Sequence, residues 1–316
     1  MRKKMTNIQY SMPNCCKIIL RASTKLLCIC IFIIGFSSLA FAKEYDGVWF
    51  LGFNLHKDVF SNVKAREAIA HAINKQYITT KIMSEEVVPI GVIPPNMQGN
   101  DTTLKEITYN ANMAKQLLKA SGENRPKELT LLHTDGIKTK MIAETIKNNL
   151  NKIGIKINLK EVTYEESAVW GKALNSGKDH LFLMGYKINP FLSIFIGDKN
   201  SRLFHALGCD KIPQADDQEI FASYDGAIKS GYSPDKSCKP TNTGKTETEA
   251  LIRPLLYSKG EANFTFFSNE RVDALLDQLA QIDPALKEEQ TKRLKEIDAI
   301  IYKELPIIPL FYIEKL

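Results

Sequence analysis

Between residues 128 and 186 the chain alternates strand-length apolar runs with amphipathic helical stretches, and this rhythm leaves few folds open. "ELTLLHT" (128–134) alternates apolar and polar residues and reads as a strand. "IKTKMIAETIKNNLNKIG" (137–154) puts Ile142, Ile146, Leu150 and Ile153 on one helical face, and Gly154 suits a left-handed stop. "IKINLKEV" (155–162) alternates again, "YEESAVWGKALNSG" (164–177) reads as a helix, and "HLFLMGY" (180–186) as a buried strand. Strand, helix, strand, helix, strand in this spacing predicts βαβ units and an α/β fold built on a mixed sheet with flanking helices.

The flanks extend the pattern. "VWFLGFN" (48–54) reads as a strand buried on both faces, and "NVKAREAIAHAINKQYI" (62–78) as one helix with Ala65, Ala68, Ile69, Ala72 and Ile73 in a stripe. "VIPPNMQGN" (92–100) is a turn-rich loop. "NANMAKQLLKASG" (110–122) takes Asn110 as N-cap and Gly122 as stop. After a break at 198–262, order returns. "NERVDALLDQLAQ" (269–281) is a helix, and a second runs over 283–306 with Asp283 as N-cap and Pro284 at its first position. "IIPLFYI" (307–313) is a last strand. The 198–262 stretch contains the aperiodic, polar "SPDKSCKPTNTGKTETEA" and is expected to be an insertion with one or two short helices, or a lid.

The amino-terminal 42 residues have the make-up of an export signal. A basic region ends at Lys25, "LLCICIFIIGF" (26–36) is apolar, and "AFA" (40–42) fits a cleavage pattern, which predicts cleavage after Ala42 and a periplasmic product. The apolar run is short for a membrane span of about 20 residues. Six of the 42 basic side chains lie in this segment with no acid, leaving 36 basic against 36 acidic residues. The net charge of +6 therefore comes from the leader and gives no argument for nucleic acid as a partner. Four cysteines (Cys15, Cys16, Cys28, Cys30) belong to the same segment. Cys209 and Cys238 remain, and in an exported chain they are expected to form one disulfide. The alternative, a metal or redox pair, finds no C-x-x-C spacing and no neighbouring histidine cluster.

Motifs for catalysis are absent. His133 and Asp135 form "HTD" at a strand end, a pattern that reads more simply as a polar turn than as a base and its orienting acid. The other histidines, His56, His71, His180 and His205, show no zinc-ligand spacing, and no phosphate-binding loop occurs. No enzyme activity, cofactor or metal is expected. Trp170 and Tyr186 are aromatic candidates for a ligand cleft, and Tyr186 is favoured because it ends a strand beside an irregular loop.

The order of segments resembles the second lobe of the family 5 extracellular solute-binding proteins, the oligopeptide, dipeptide and nickel-chelate receptors of bacterial ABC importers. The resemblance is carried by "FLGFNLHKDVFSNVKAREAIAHAINKQYI", "GVIPPNMQG", "YNANMAKQLLKASG" with "ELTLLH", "IAETIKNNLNKIGIKINLKEVTY" and "FSNERVDALLDQLAQIDPALKEEQTKRLKEIDAIIYKELPIIPLFY". It implies one lobe of a class C periplasmic-binding-protein clamshell over residues 43–316, with a polar insertion at about 198–262. It also implies an importer permease as partner and a peptide or chelate ligand held between two lobes. A family-like first lobe and C-terminal return are not recognised, so the resemblance points to a separately encoded first lobe or self-association. The alternatives are a remnant, or a protein-interaction module that binds no ligand. Peptide-binding members carry an acidic residue in the loop after the strand matched by "FLMGY". Here that loop reads "GYKINPFLSIF", with Tyr186 and Asn189 fitting the pattern and Lys187 near the acidic position. Tyr186, Lys187, Asn189, His133 and Trp170 are thus the expected cleft residues.

Overall fold

The computed structural model describes residues 43–315 apart from 86, 165–166, 189–193, 207–208, 222–223, 239, 241–245 and 284. The proposed leader, residues 1–42, lies outside the described residues. The compact unit runs from Glu44 to Leu316. Its main sheet has five strands: β1 (Tyr45–Phe53), β2 (Glu128–Thr134), β3 (Lys156–Val162), β4 (Leu181–Lys187) and a last strand, Ile307–Glu314. The spatial order is β3, β2, β4, β1, then Ile307–Glu314. β2 pairs in parallel with β3 and with β4, whereas β1 runs antiparallel to β4 on one side and to the last strand on the other.

Both faces of this sheet are covered over β4, β1 and Ile307–Glu314, which is why those strands are mostly apolar, while the edge strand β3 alternates. On one face Leu51, Phe53, Leu131, Leu183 and Leu310 pack against helices α1 (Val63–Ala72), α2 (Ala111–Ala120) and α3 (Ile137–Asn151). On the other, Val48, Phe50, Phe182 and Tyr312 meet helices from the carboxyl-terminal third. In chain order the remaining helices are α4 (Ser167–Asn175), α5 (Tyr224–Lys229), α6 (Glu247–Leu256), α7 (Glu270–Leu279) and α8 (Lys287–Glu304). Asn110 caps α2 by accepting from the amides of Asn112 and Met113, and Asn269 caps α7 in the same way. Gly122 and Gly154 take positive φ just after α2 and α3 stop.

Three expectations are corrected. The helix expected over 62–78 breaks after Ala72, because Ile73 is extended and Asn74 starts a new turn. The Asn74 amide donates to Asn149 Oδ1 of α3 at 2.7 Å, and its side chain caps Tyr77, so a tertiary contact overrides the periodic stripe. The last helix starts at Lys287 rather than at 284, since Asp283 holds the amide of Ala285 in a local turn. The 198–262 stretch is not simply irregular. β5 (Phe195–Asp198), β6 (Leu203–Ala206), β7 (Gln218–Phe221) and β8 (Ser233–Pro234) form a second sheet in the order β7-β5-β6-β8. Its core is aromatic, with Phe204 fully buried and edge-on to Phe195 and Tyr224.

With β9 (Ile307–Glu314) the chain returns to its start, and the Lys315 amide donates to the Glu44 carbonyl at 2.8 Å. The approach to β9 is tight. Leu305 takes φ +47° at the end of α8, a region that costs a non-glycine residue energy. Two features hold it there: the Leu305 side chain is in the core, and the buried Arg66 guanidinium of α1 donates to the Glu304 and Phe60 carbonyls.

Asp298 on α8 sits under the proline loop, where its Oδ1 accepts the Val92 amide at 3.1 Å. Burial raises its carboxyl to about 7. The folded state therefore binds a proton there that the unfolded state has already released, and stability falls as pH rises toward and through about 7. Asp298→Asn keeps an acceptor for Val92 and removes the charge. Urea unfolding between about pH 5 and about pH 8 is expected to show a downward slope in the parent, up to about 2.5 kcal/mol in all, that is flattened in Asp298→Asn.

Candidate functional site

The parallel strands β2, β3 and β4 all end at one edge of the main sheet, and in α/β sheets the crevice outside those carboxyl ends is where ligands bind. A groove of about 620 Å³ lies there. Thr134 and Asp135 line it from the end of β2, Tyr164 from the end of β3, Gly185 and Lys187 from β4, Trp49 from β1 and Trp170 from α4. The chain has two tryptophans, and both line this groove.

Each wall follows from local structure. Trp49 and Gly185 are directly opposite across the β1–β4 pair. A Cβ on Gly185 would come within 2.5 Å of the Trp49 indole nitrogen, so the glycine makes room for the ring to lie across β4. The other side of that ring stacks on Phe311 of β9 at 5.8 Å and 15°. Gly136 caps α3 without a side-chain hydrogen bond, and Gly136 and Ile137 line the groove, so the amino-terminal end of α3 faces it. That end carries partial positive charge. Asp135 Oδ1 accepts the Tyr164 amide at 3.1 Å and ties the two loops together. Ile137 and Tyr164 remain 80% and 65% exposed, leaving an apolar rim open to water.

Lys187 supplies the fixed cation of the groove, and its Nζ lies 3.4 Å from Asp46 Oδ2. Asp46 sits at a register shift in β1, between Tyr45 and Gly47, and its carbonyl takes the Ile188 amide. The other carboxylate oxygen, Oδ1, is buried with no hydrogen-bond partner among the described residues. The lysine is therefore not a lone positive charge, because an acid distant in the loop alignment stands across the strand.

The expected cleft residues do not all share this groove. Lys187 and Trp170 line it together. Tyr186 is half-buried and packs on the core cluster of the opposite sheet face, as strand alternation requires once Gly185 and Lys187 face the groove. Its hydroxyl is pushed up by burial and then by Glu261. His133 is buried with its Nδ1 2.9 Å from the Thr134 carbonyl oxygen, and the neighbouring Thr134 and Asp135 reach the groove instead. Asn189 lies outside the described residues. Trp49, Asp46 and Tyr164 were not singled out in the sequence. Trp49 sits in a run read only as buried strand, and its role depends on the cross-strand glycine.

The cysteine pair departs from the expected disulfide. Cys209 and Cys238 are unbonded thiols, brought together by the turns after β6 and β8. A third group meets them: His205 Nδ1 lies 3.6 Å from Cys209 Sγ and 3.4 Å from Cys238 Sγ. The sequence signal for this contact was the short spacing of His205 and Cys209, four residues apart.

Gly185→Ala is the direct test of how the groove floor is built. The added methyl is expected to displace the Trp49 ring, cost about 1–3 kcal/mol as overpacking does, and change the near-UV circular dichroism of the indole. An unchanged spectrum would mean that the ring does not depend on this glycine.

Comparison with known proteins places the fold. A di/tripeptide-binding protein of Pseudomonas aeruginosa is 27% identical over 225 residues, covering 66% of this chain and 40% of that protein. A dipeptide-binding protein of Escherichia coli is 30% identical over 138 residues, 42% of this chain and 25% of that protein. Among solved structures, HbpA2 from Haemophilus parasuis superposes with a TM-score of 0.61 at 20% identity, covering 86% of this chain and 43% of HbpA2. The chain thus spans less than half the length of each of these proteins. The family model described as bacterial extracellular solute-binding proteins, family 5, middle part, matches residues 35–193, half of the chain, and the chain belongs to that family.

Proposed function

We propose that this chain is an exported ligand-binding lobe serving an ABC importer, and that the groove at the carboxyl ends of β2–β4 takes a small peptide-like or chelate ligand. The observation that carries the reading is the convergence of both tryptophans, Lys187 and the amino-terminal end of α3 on one open groove. Apolar walls with a few placed charges are the usual make-up of a small-ligand site. A carboxylate of the ligand would meet Lys187 and the first amides of α3, and an apolar side chain would lie against Trp49 and Trp170. Asp135 is the acid available to a cationic group. In this reading residues 1–42 are a leader cleaved after Ala42, the product is periplasmic, and no chemistry is performed on the ligand. The partners are a membrane permease and a second lobe, either a separate chain or a second copy, that closes over the groove.

Because both tryptophans line the groove, intrinsic fluorescence reports on it directly. Titration with di- and tripeptides, free and carboxyl-amidated, is expected to give a saturable change below about 1 mM, which corresponds to binding stronger than about −4 kcal/mol. Silence across the series at that concentration would reject the groove as a peptide site. Lys187→Met is expected to weaken a free-carboxylate ligand by about 10- to 100-fold, the loss of one charge-assisted hydrogen bond, and to leave the amidated form unaffected. Equal losses for both forms would remove Lys187 from ligand recognition.

A second reading, a protein-docking face without small ligand, is favoured by the exposure of Ile137 and Tyr164 at the rim and of Met141 one turn further along α3. It predicts no response to peptides and a shift to a defined larger mass when the protein is measured by native mass spectrometry.

A further inference from the structure

We propose that His205, Cys209 and Cys238, with both cysteines in the thiol form, make a binding site for one thiophilic divalent metal ion of the zinc type. The three residues come from two separate segments of the small sheet. His205 is a buried residue of β6, Cys209 follows in the turn after it, and Cys238 lies in the turn after β8. Their ligand atoms all lie within 4.8 Å of one another. The site shares no residue with the groove, so it stands or falls independently of the groove's ligand.

Distances distinguish a metal site from a plain thiol pair. Zinc bonds of about 2.3 Å to sulfur and about 2.0 Å to nitrogen, at the tetrahedral angle, hold the nitrogen and sulfur about 3.5 Å apart. His205 Nδ1 is 3.6 Å and 3.4 Å from the two sulfurs, so both nitrogen–sulfur edges of such a tetrahedron are already spanned, and the two sulfurs lie within 4.8 Å of each other. A disulfide requires the sulfurs to close to about 2.05 Å and has no use for a buried imidazole on both of them. Three protein ligands leave a fourth position for water, the ligand count of an exchangeable site rather than a sealed one.

The surroundings fix Cys238 in place. Asp235 takes the backbone amides of Ser237 and Cys238, at 2.8 and 3.0 Å, together with the Ser237 hydroxyl. Its own amide donates to the Phe204 carbonyl, the residue beside His205, so the cysteine turn is tied to the histidine strand. Ligand-bearing turns held this way lose little entropy on loading. Charge balance also fits. One divalent ion bound by two thiolates and a neutral imidazole is neutral overall, and loading it releases two protons to solvent. The bound ion would clip the turn after β6 to the turn after β8.

The test uses the purified full chain with Cys15, Cys16, Cys28 and Cys30 of the leader replaced by serine, so that Cys209 and Cys238 are its two thiols; this parent is reduced with a non-chelating phosphine under anaerobic conditions and titrated with Co²⁺ alone, then with Zn²⁺. The expected result is one equivalent bound, with sulfur-to-cobalt charge-transfer absorption and tetrahedral d–d bands that Zn²⁺ abolishes. Cys209→Ser and Cys238→Ser are each expected to weaken Co²⁺ binding by more than about 100-fold, and His205→Asn by more than about 10-fold with altered d–d bands. Circular dichroism of each variant checks that the fold is kept, and the parent titration decides the matter if a variant does not fold. A reduced parent protein that binds Co²⁺ without sulfur charge transfer, or not at all, overturns the proposal. So does a cobalt spectrum and midpoint that His205→Asn leaves unchanged.

Discussion

The structure depends on the two-sided pairing of β1. This strand is hydrogen-bonded along one edge to β4 and along the other to β9, antiparallel to both, and it fills the gap between a parallel βαβ unit and the end of the chain. Without it the sheet would divide into β3-β2-β4 and a lone β9. Its apolar residues serve both core layers, with Leu51 and Phe53 on one side and Val48 and Phe50 on the other. Full burial of side chains of this size contributes about 1.5–3 kcal/mol each, and β4 beside it serves both layers in the same way, with Leu181 and Leu183 on one side and Phe182 and Met184 on the other. The register also builds the groove, because it sets Trp49 on Gly185 and brings Asp46 beside Lys187.

Local signals were legible where local physics decides. Strand alternation, the asparagine caps at Asn110 and Asn269 and the glycine stops at Gly122 and Gly154 are written within a few residues of where they act. Long-range geometry was not. Nothing within 45–53 states that its neighbours are residues 181–187 and 307–314, and therefore nothing marks Trp49 as a groove residue. The stripe through Ile73 promised one helix, and a hydrogen bond from the Asn74 amide to Asn149 of another helix ended it. The small sheet was missed for a related reason. Its strands are of two to four residues, too short for a period to register, and what holds them is an aromatic cluster gathered from five positions between Phe195 and Tyr232.

The candidate groove shows the same division. Lys187 and Trp170 could be picked out as chemically apt, and both line it, because the end of a strand and the helix before it tend to meet at a sheet edge. Tyr186 was equally apt by type, but a one-residue difference in phase turns a strand side chain to the other face, and His133 is buried against the Thr134 carbonyl short of the groove. In one dimension the charge of Lys187, at the end of β4, stands alone near the expected acidic position. In three it is an ion pair, and the acid that completes it belongs to the first strand.

The pairing of Tyr45 with Glu314 also orders events in time. Closing a loop of that length costs roughly 5 kcal/mol of chain entropy, and nothing repays it until β9 has docked along most of its length. β1 can zip onto β4 earlier, since the intervening helices and strands bring the two together. Between those steps the half-built sheet presents the far edge of β1 as a row of unpaired amides and carbonyls flanked by phenylalanine and leucine. Such an edge is a template for another chain. Docking of the eight-residue β9 covers that edge, so the strand that completes the core also removes the template.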